Sequence, residues 1–358
     1  MAVFMDSVEQ NRRAVGNWLL AMCGLVLVMI VVGGLTRLTQ SGLSMVEWQP
    51  ILGSIPPLNH DDWMVAFEKY QQYPEYQKVN QGMSLKDFKF IFYFEYGHRM
   101  LGRFIGLSFA LPFVYFLSKK AISRSFMPWL FVLFCLGGAQ GLIGWWMVKS
   151  GLIDRPDVSH YRLTVHLSMA FMLYLALLWT GLNYRRGLPL NQHVSKRRAA
   201  AALLLLGYVT VQSGGLVAGL NAGSQFNTFP KMAGQWIPDG LFVQQPWYTN
   251  MTENLMTVQF DHRMLAITTA TLSIAFAIRH LRGQRNSRVK KALWGLLLAV
   301  SFQVTLGIST LLSVVWLPLA SAHQTGAVVF LSSLIWVLHE LSFAQEDSLA
   351  TESQLVSK

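Results

Sequence analysis

Four of the nine histidines, His98, His166, His262 and His323, lie in or at the edge of long uncharged apolar runs. A neutral imidazole can ligate a metal without adding a buried charge, so it is tolerated in a membrane where most ionisable groups are not. The residue four positions on, one helical turn away on the same face, is small in every case: Gly102, Ala170, Ala266 and Ala327. A macrocycle held by a histidine needs a small helix surface beside it. Two facing helices with one histidine each and small residues one turn deeper therefore read as a bis-histidine haem pocket, and two such pairs as two pockets. Haem fits better than zinc, because each pair supplies only two imidazoles and no thiolate. His60, His160, His193, His280 and His339 lack the pattern and read as surface residues. Cys23 and Cys135 fall inside apolar runs and read as small packing residues, with no thiol cluster and no outward-facing disulfide.

The two pockets differ at one position. Three residues before His98, on the same helical face, stands Glu95; the matching residue before His262 is Gln259. A carboxylate beside an apolar cavity is costly and usually functional, and it suits proton transfer. Glu95 is thus the candidate for chemistry in the first pocket, the alternative being an interfacial residue paired with Arg99 or Arg103. The second pocket reads as a plain electron-transfer haem site. Arg99 and Arg263 stand at the layer where haem propionates would emerge. They read either as propionate partners or as positive anchors at a membrane boundary.

The elements that must hold these residues follow from composition. The chain has 358 residues, 53% hydrophobic and only 13% charged, about half the ~25% charge of a soluble domain. Its net charge of +11 does not form a nucleic-acid-binding face. Three acid-free segments, around Lys119 to Arg124, Arg185 to Arg198 and Arg279 to Lys291, contain 14 of the 29 basic residues. Short basic segments between apolar runs mark the cytoplasmic loops of a polytopic membrane protein. A helix needs about 20 apolar residues to cross the bilayer. Residues 14–36, 125–148 and 163–184 each supply one span, residues 199–230 supply one plus part of a loop, and residues 292–338 supply two with a turn near Trp316-Leu317-Pro318. The shorter runs 104–118 and 264–278 become long enough once each includes the preceding His-Arg-Met-Leu. The result is eight helices with both termini cytoplasmic. The N-terminus matches neither a transit peptide nor a cleavable signal, so the first span is expected to be a retained anchor in a bacterial inner membrane.

Each of the four histidines precedes its next cytoplasmic charge by a comparable stretch of helix, roughly 25–32 Å at the helical rise. All four rings are therefore expected in one layer near the outer face. The chain also repeats: His98-Arg99-Met100-Leu101 returns as His262-Arg263-Met264-Leu265, Gln140 with Gly144 returns as Gln303 with Gly307, and Gly33-Gly34-Leu35 resembles Gly214-Gly215-Leu216. Four spans per half make the halves parallel repeats, unlike the inverted repeats of many transporters. The expected organisation is a first half, 1–190, with a large outer loop at 37–90; a second half, 191–345, with an outer loop at 221–257; and a cytoplasmic tail, 346–358. Both loops read equally as lids over outward-opening sites or as ordinary interfacial loops. Trp63, Phe67 and Tyr70, at helical spacing in the first loop, predict a short helix whose aromatic face suits the lipid surface.

The motif Glu95-Tyr96-Gly97-His98-Arg99-Met100-Leu101-Gly102-Arg103 resembles the haem A synthase family. So do Gly33-Gly34-Leu35-Thr36-Arg37-Leu38-Thr39, Ser41-Gly42-Leu43-Ser44 and Asn227-Thr228-Phe229-Pro230-Lys231-Met232. The likeness runs over nearly the whole chain and is closest to the branch shared by mitochondria and many Gram-negative bacteria. It implies an all-α fold of two four-helix bundles, with a haem b cofactor held by His262 and His323. It also implies haem O as substrate near His98 and His166, and Glu95 at an essential acidic position. The implied reaction oxidises the C8 methyl to a formyl group by two successive hydroxylations, with oxygen from water. The expected partners are a haem O synthase (protohaem farnesyltransferase), an electron acceptor of unspecified kind and the lipid bilayer, with no nucleic acid; the sequence leaves open whether the chain acts alone or as a homo-oligomer. Some family members carry a cysteine pair in an outer loop; this chain has none there, so a mechanism needing those thiols cannot operate in it. The competing reading of the paired histidines is a di-haem membrane cytochrome exchanging electrons with quinone. It does not predict the Glu95/Gln259 difference, and it would place its haems at two depths.

Overall fold

The computed structural model describes residues 2–48, 52–153, 155–186 and 194–343. His193, the expected boundary at 190 and the tail 346–358 lie outside the described residues. Eleven α-helices are described: α1 (Ala2–Leu38), α2 (His60–Gln71), α3 (Pro74–Lys78), α4 (Leu85–Ser118), α5 (Met127–Gly151), α6 (His160–Arg186), α7 (Val194–Gly219), α8 (Asn250–Glu253), α9 (Leu255–Leu281), α10 (Ser287–Leu312) and α11 (Leu317–Phe343). Eight of them, α1, α4, α5, α6, α7, α9, α10 and α11, are long and apolar enough to cross a membrane. The fold is that of an eight-helix integral membrane protein.

Local sequence explains where several of these helices begin. Ser84, Asn254 and Asn286 cap α4, α9 and α10 by accepting hydrogen bonds from backbone N–H groups of the first turn, which otherwise lack intrahelical partners. The long apolar run 292–338 divides where Val314 and Val315 adopt φ of 56° and 60°, a left-handed region unfavourable to branched side chains. That turn precedes the expected Trp316-Leu317-Pro318, and Pro318 falls in the first turn of α11, where a missing N–H costs nothing.

Helix α1 packs against α4 and α6, and α5 packs against α6 and α4; in the second group, α7 packs against α9 and α11, and α10 against both α9 and α11. The groups meet where α11 contacts α1 and α6, and where α6 contacts α7. Arg186 on α6 pairs with Glu340 on α11 near one end of this seam, and the hydroxyls of Tyr174 and Ser332 bond across it at 2.9 Å. Large apolar side chains such as Phe104, Leu111, Leu142, Leu298 and Phe302 point outward, as lipid-facing residues do.

The 34 residues of α4 span about 51 Å, more than a bilayer core is thick. The helix starts inside the expected 37–90 loop, and its extra first turns carry Phe88 and Phe92. This corrects the reading of α2. Trp63, Phe67 and Tyr70 are buried rather than turned to lipid, with Trp63 5.0 Å from Phe92 and Tyr70 5.2 Å from Phe88 between ring centroids. The same periodicity that suits lipid also suits a neighbouring aromatic helix, and α4 supplies Phe88 and Phe92 at matching spacing.

Beside this aromatic cluster the Tyr70 hydroxyl donates to Glu75 at 2.9 Å and accepts from the Asn80 amide at 2.7 Å. Burial, reinforced by the carboxylates of Glu95 and Asp157, pushes the Glu75 acid up from its ordinary 4.5 to about 8, against the opposing effects of Tyr70 and Arg37. A raised folded-state value means that folding is favoured most below pH 4.5 and loses that contribution as pH climbs through about 8. Amide exchange across residues 60–82 of the purified chain, corrected for intrinsic rates, should therefore speed up by about tenfold or more between pH 5 and pH 9. Glu75→Gln should flatten that dependence. An equally steep profile in the variant would assign it to another group.

Candidate functional site

Each of the four histidines rests on a glycine of a neighbouring helix. A Cβ at Gly33 on α1 would stand 3.4 Å from the His98 ring, one at Gly144 on α5 3.0 Å from His166, one at Gly214 on α7 3.0 Å from His262, and one at Gly307 on α10 2.9 Å from His323. These are the glycines of the internal repeat. Their repetition is visible in the sequence, but their task is not, because the contact lies between helices. The matched glutamines repeat as well: the Gln140 amide donates to the His166 carbonyl at 2.8 Å, and that of Gln303 to the His323 carbonyl at 3.1 Å. A pair of helices in each half is thereby locked in register beside a histidine.

The rings fall into two neighbourhoods. His98 and His166 lie within electrostatic reach of each other, as do His262 and His323. All four side chains remain partly accessible although their helices pack closely, so each borders open space. Nδ1 of His166 and of His323 is buried with no hydrogen-bond partner; the Gln303 carbonyl lies near His323 but outside bonding geometry. His262 differs, with its Nδ1 2.8 Å from the Ser213 hydroxyl. The one sequence signal for Ser213 is that it immediately precedes a repeated glycine pair.

Glu95 is 2% exposed and fully engaged. One carboxylate oxygen pairs with Arg99 at 2.6 Å, and the other accepts from the Met45 N–H and the Ser44 hydroxyl, both at 2.8 Å. Of its two expected arginine neighbours, the structure thus gives it Arg99. The guanidinium of Arg99 also donates to the carbonyls of Met45 at 2.7 Å and Glu47 at 3.0 Å. Arg263 does the same in the other half, donating to Phe226 at 2.5 Å and Thr228 at 2.8 Å. The arginine that follows each motif histidine therefore ties down a loop next to its own helix, 41–47 for Arg99 and 226–228 for Arg263. Nε of Arg263 stays buried without a partner. Gln259 occupies the place of Glu95 and donates weakly to Phe226 at 3.3 Å, its carbonyl oxygen unpartnered. One half thus holds a carboxylate at this position where the other holds a neutral amide.

Two histidines read as surface residues are in fact buried. His160 is 4% exposed, pressed against Gly219 and 3.5 Å from Glu253. His339 is 2% exposed and wedged between Trp179 and Phe343. Both stand at span ends, where sequence position says little about which side of a helix meets a neighbour. Cys23 is buried and Cys135 exposed, and both are free thiols.

The sequence matches known proteins along nearly its whole length. The family model for cytochrome oxidase assembly proteins of the COX15-CtaA type matches residues 16–335. The haem A synthase of Nitrosospira multiformis is 50% identical over 334 residues, covering 92% of this chain and 94% of that protein. That of Rhodospirillum centenum is 48% identical over 92% of this chain and 88% of its own length, and that of Bradyrhizobium diazoefficiens 43% identical over 98% of both. With eight membrane-spanning helices, two glycine-backed histidine pairs and this likeness along nearly its whole length, the chain belongs to the COX15-CtaA cytochrome oxidase assembly proteins, the haem A synthase family.

Proposed function

We propose that the protein is an oxidoreductase of haem A biosynthesis that converts haem O to haem A. Its C8 methyl is oxidised in two successive hydroxylations. Each adds one oxygen from water and releases two electrons and two protons, and the resulting gem-diol loses water to leave the formyl group. Substrate haem O occupies the first half, 1–190, near His98 and His166. The electrons leave for an acceptor outside the chain.

His262 and His323 would hold a haem b in the second half, 191–345, whose chemistry there is one-electron transfer. The residues present fit such a group: two imidazoles lie within electrostatic reach of each other, and each is backed by a glycine that leaves no Cβ in its way. The single observation that carries the assignment of roles is the mismatch between otherwise matching halves. Glu95 holds a negative charge, fixed by Arg99, Ser44 and Met45, where the second half has the neutral Gln259. A preoriented charge can stabilise positive charge developing at the methyl carbon, or its carboxylate can take the departing proton. Arg99 and Arg263 hold the loops 37–90 and 221–257 over the two sites and stand where propionates would emerge.

The three acid-free basic segments support cytoplasmic termini and a histidine layer on the outer side of a bacterial inner membrane. The product leaves for cytochrome oxidase, and the substrate comes from a haem O synthase. The test is haem extracted from cells producing this chain together with a haem O synthase. Haem A that appears only when the chain is present supports the reading. Haem O or b left unchanged would instead identify a di-haem cytochrome.

A further inference from the structure

The residue before each of the four ring-bearing glycines is Val32, Ile143, Ser213 and Leu306. Three of these have no hydrogen-bonding side chain; the fourth places its hydroxyl 2.8 Å from Nδ1 of His262. Among the described residues, His262 is thus the one member of the four whose ring is held by a side chain. The same hydroxyl lies 2.7 Å from the Thr210 carbonyl one turn earlier on α7. A hydroxyl has one proton and two lone pairs. With its proton directed to Thr210, Ser213 Oγ is left to accept from Nδ1–H, and Nε2 then carries the free lone pair.

We propose that Ser213 is a positioning residue for the second-half haem, holding His262 in the tautomer and orientation in which Nε2 faces the iron. The inference rests on the reading of His262 as a haem ligand. It adds an asymmetry between the halves: the residue at the corresponding place beside His98 is Val32, so the substrate-side ring lacks this restraint. That difference suits a resident cofactor in one half and a substrate that must enter and leave in the other. A hydrogen bond accepted from Nδ1–H also makes the imidazole a stronger donor, which favours the ferric form and lowers the potential.

The test uses the purified full-length protein in detergent, with haem retention and redox titration as readouts. Ser213→Ala should lose haem about tenfold more readily. It should also raise the ferrous-to-ferric ratio at fixed potential about tenfold, equivalent to about 59 mV for one electron. Ser213→Thr, which keeps the hydroxyl, should restore both. An S213A protein with unaltered potential and retention would overturn the assignment, as would a shift that S213T fails to reverse. His262→Ala is the companion variant. If it keeps the second-half haem, the ligand reading itself fails, a result distinct from failure of Ser213.

Discussion

Glu95→Gln is expected to cut the rate of haem A formation about a hundredfold or more while the protein keeps its haem. The variant preserves shape and one hydrogen-bond acceptor, and it copies the residue that the second half carries at Gln259. Haem extracted from cells co-producing a haem O synthase should then show haem O, or the singly hydroxylated intermediate, in place of haem A. Because Glu95 also binds Arg99, Ser44 and Met45, the variant loosens the 41–47 loop as well as removing a charge. Ser44→Ala separates the two effects: it deletes a loop bond to the carboxylate and leaves the charge in place. If the loop alone mattered, S44A would lose activity in step with E95Q. Normal haem A yield from E95Q would remove Glu95 from the chemistry altogether.

The features legible in the sequence are those that scarcity makes visible. With so few charges in the chain, acid-free basic segments and uncharged runs delimit eight spans. Four histidines in apolar surroundings, each followed by a small residue one turn on, stand out against that background. The span ends are less legible because α4 begins at Leu85, ahead of the apolar run, where Lys86, Asp87 and Lys89 give the sequence the look of a polar loop. Periodicity located the aromatic face of α2 but could not say what covers it; Phe88 and Phe92 do. Contacts between helices were the least legible. Nothing in a one-dimensional pattern distinguishes a glycine that lets two helices approach from one that receives a histidine ring. Nor does it set the hydroxyl of Ser213 apart from the many serines that bond only their own helix. His160 and His339 are buried against the surface expectation for the same reason, since burial at the end of a span depends on the neighbouring helix.

That limit makes the glycines the sharpest test of how the site is built, because they can be changed without touching a ligand. At Gly214 the three nearest atoms to an added Cβ all belong to the His262 ring, the first at 3.0 Å; at Gly307 the same holds for His323, at 2.9 Å. Valine at either position places a branched side chain where the imidazole lies, and a close-packed helix pair cannot yield enough to accommodate both. Gly214→Val should therefore empty the second half of haem as thoroughly as His262→Ala, a loss of about tenfold or more in the haem b extracted from the purified protein. Gly138→Val on α5 is the control, since an added Cβ there meets nothing within 4 Å, and it should keep its haem. Gly144→Val, aimed at His166 in the first half, should keep the second-half haem and yet stop haem A formation. Full haem in G214V would show that the ring can ligate from another position. Loss of all haem in G144V would show that the two halves do not bind independently. The expected split, cofactor lost from one glycine and conversion lost from the other, would assign the two pockets their different tasks using residues that touch neither iron nor substrate.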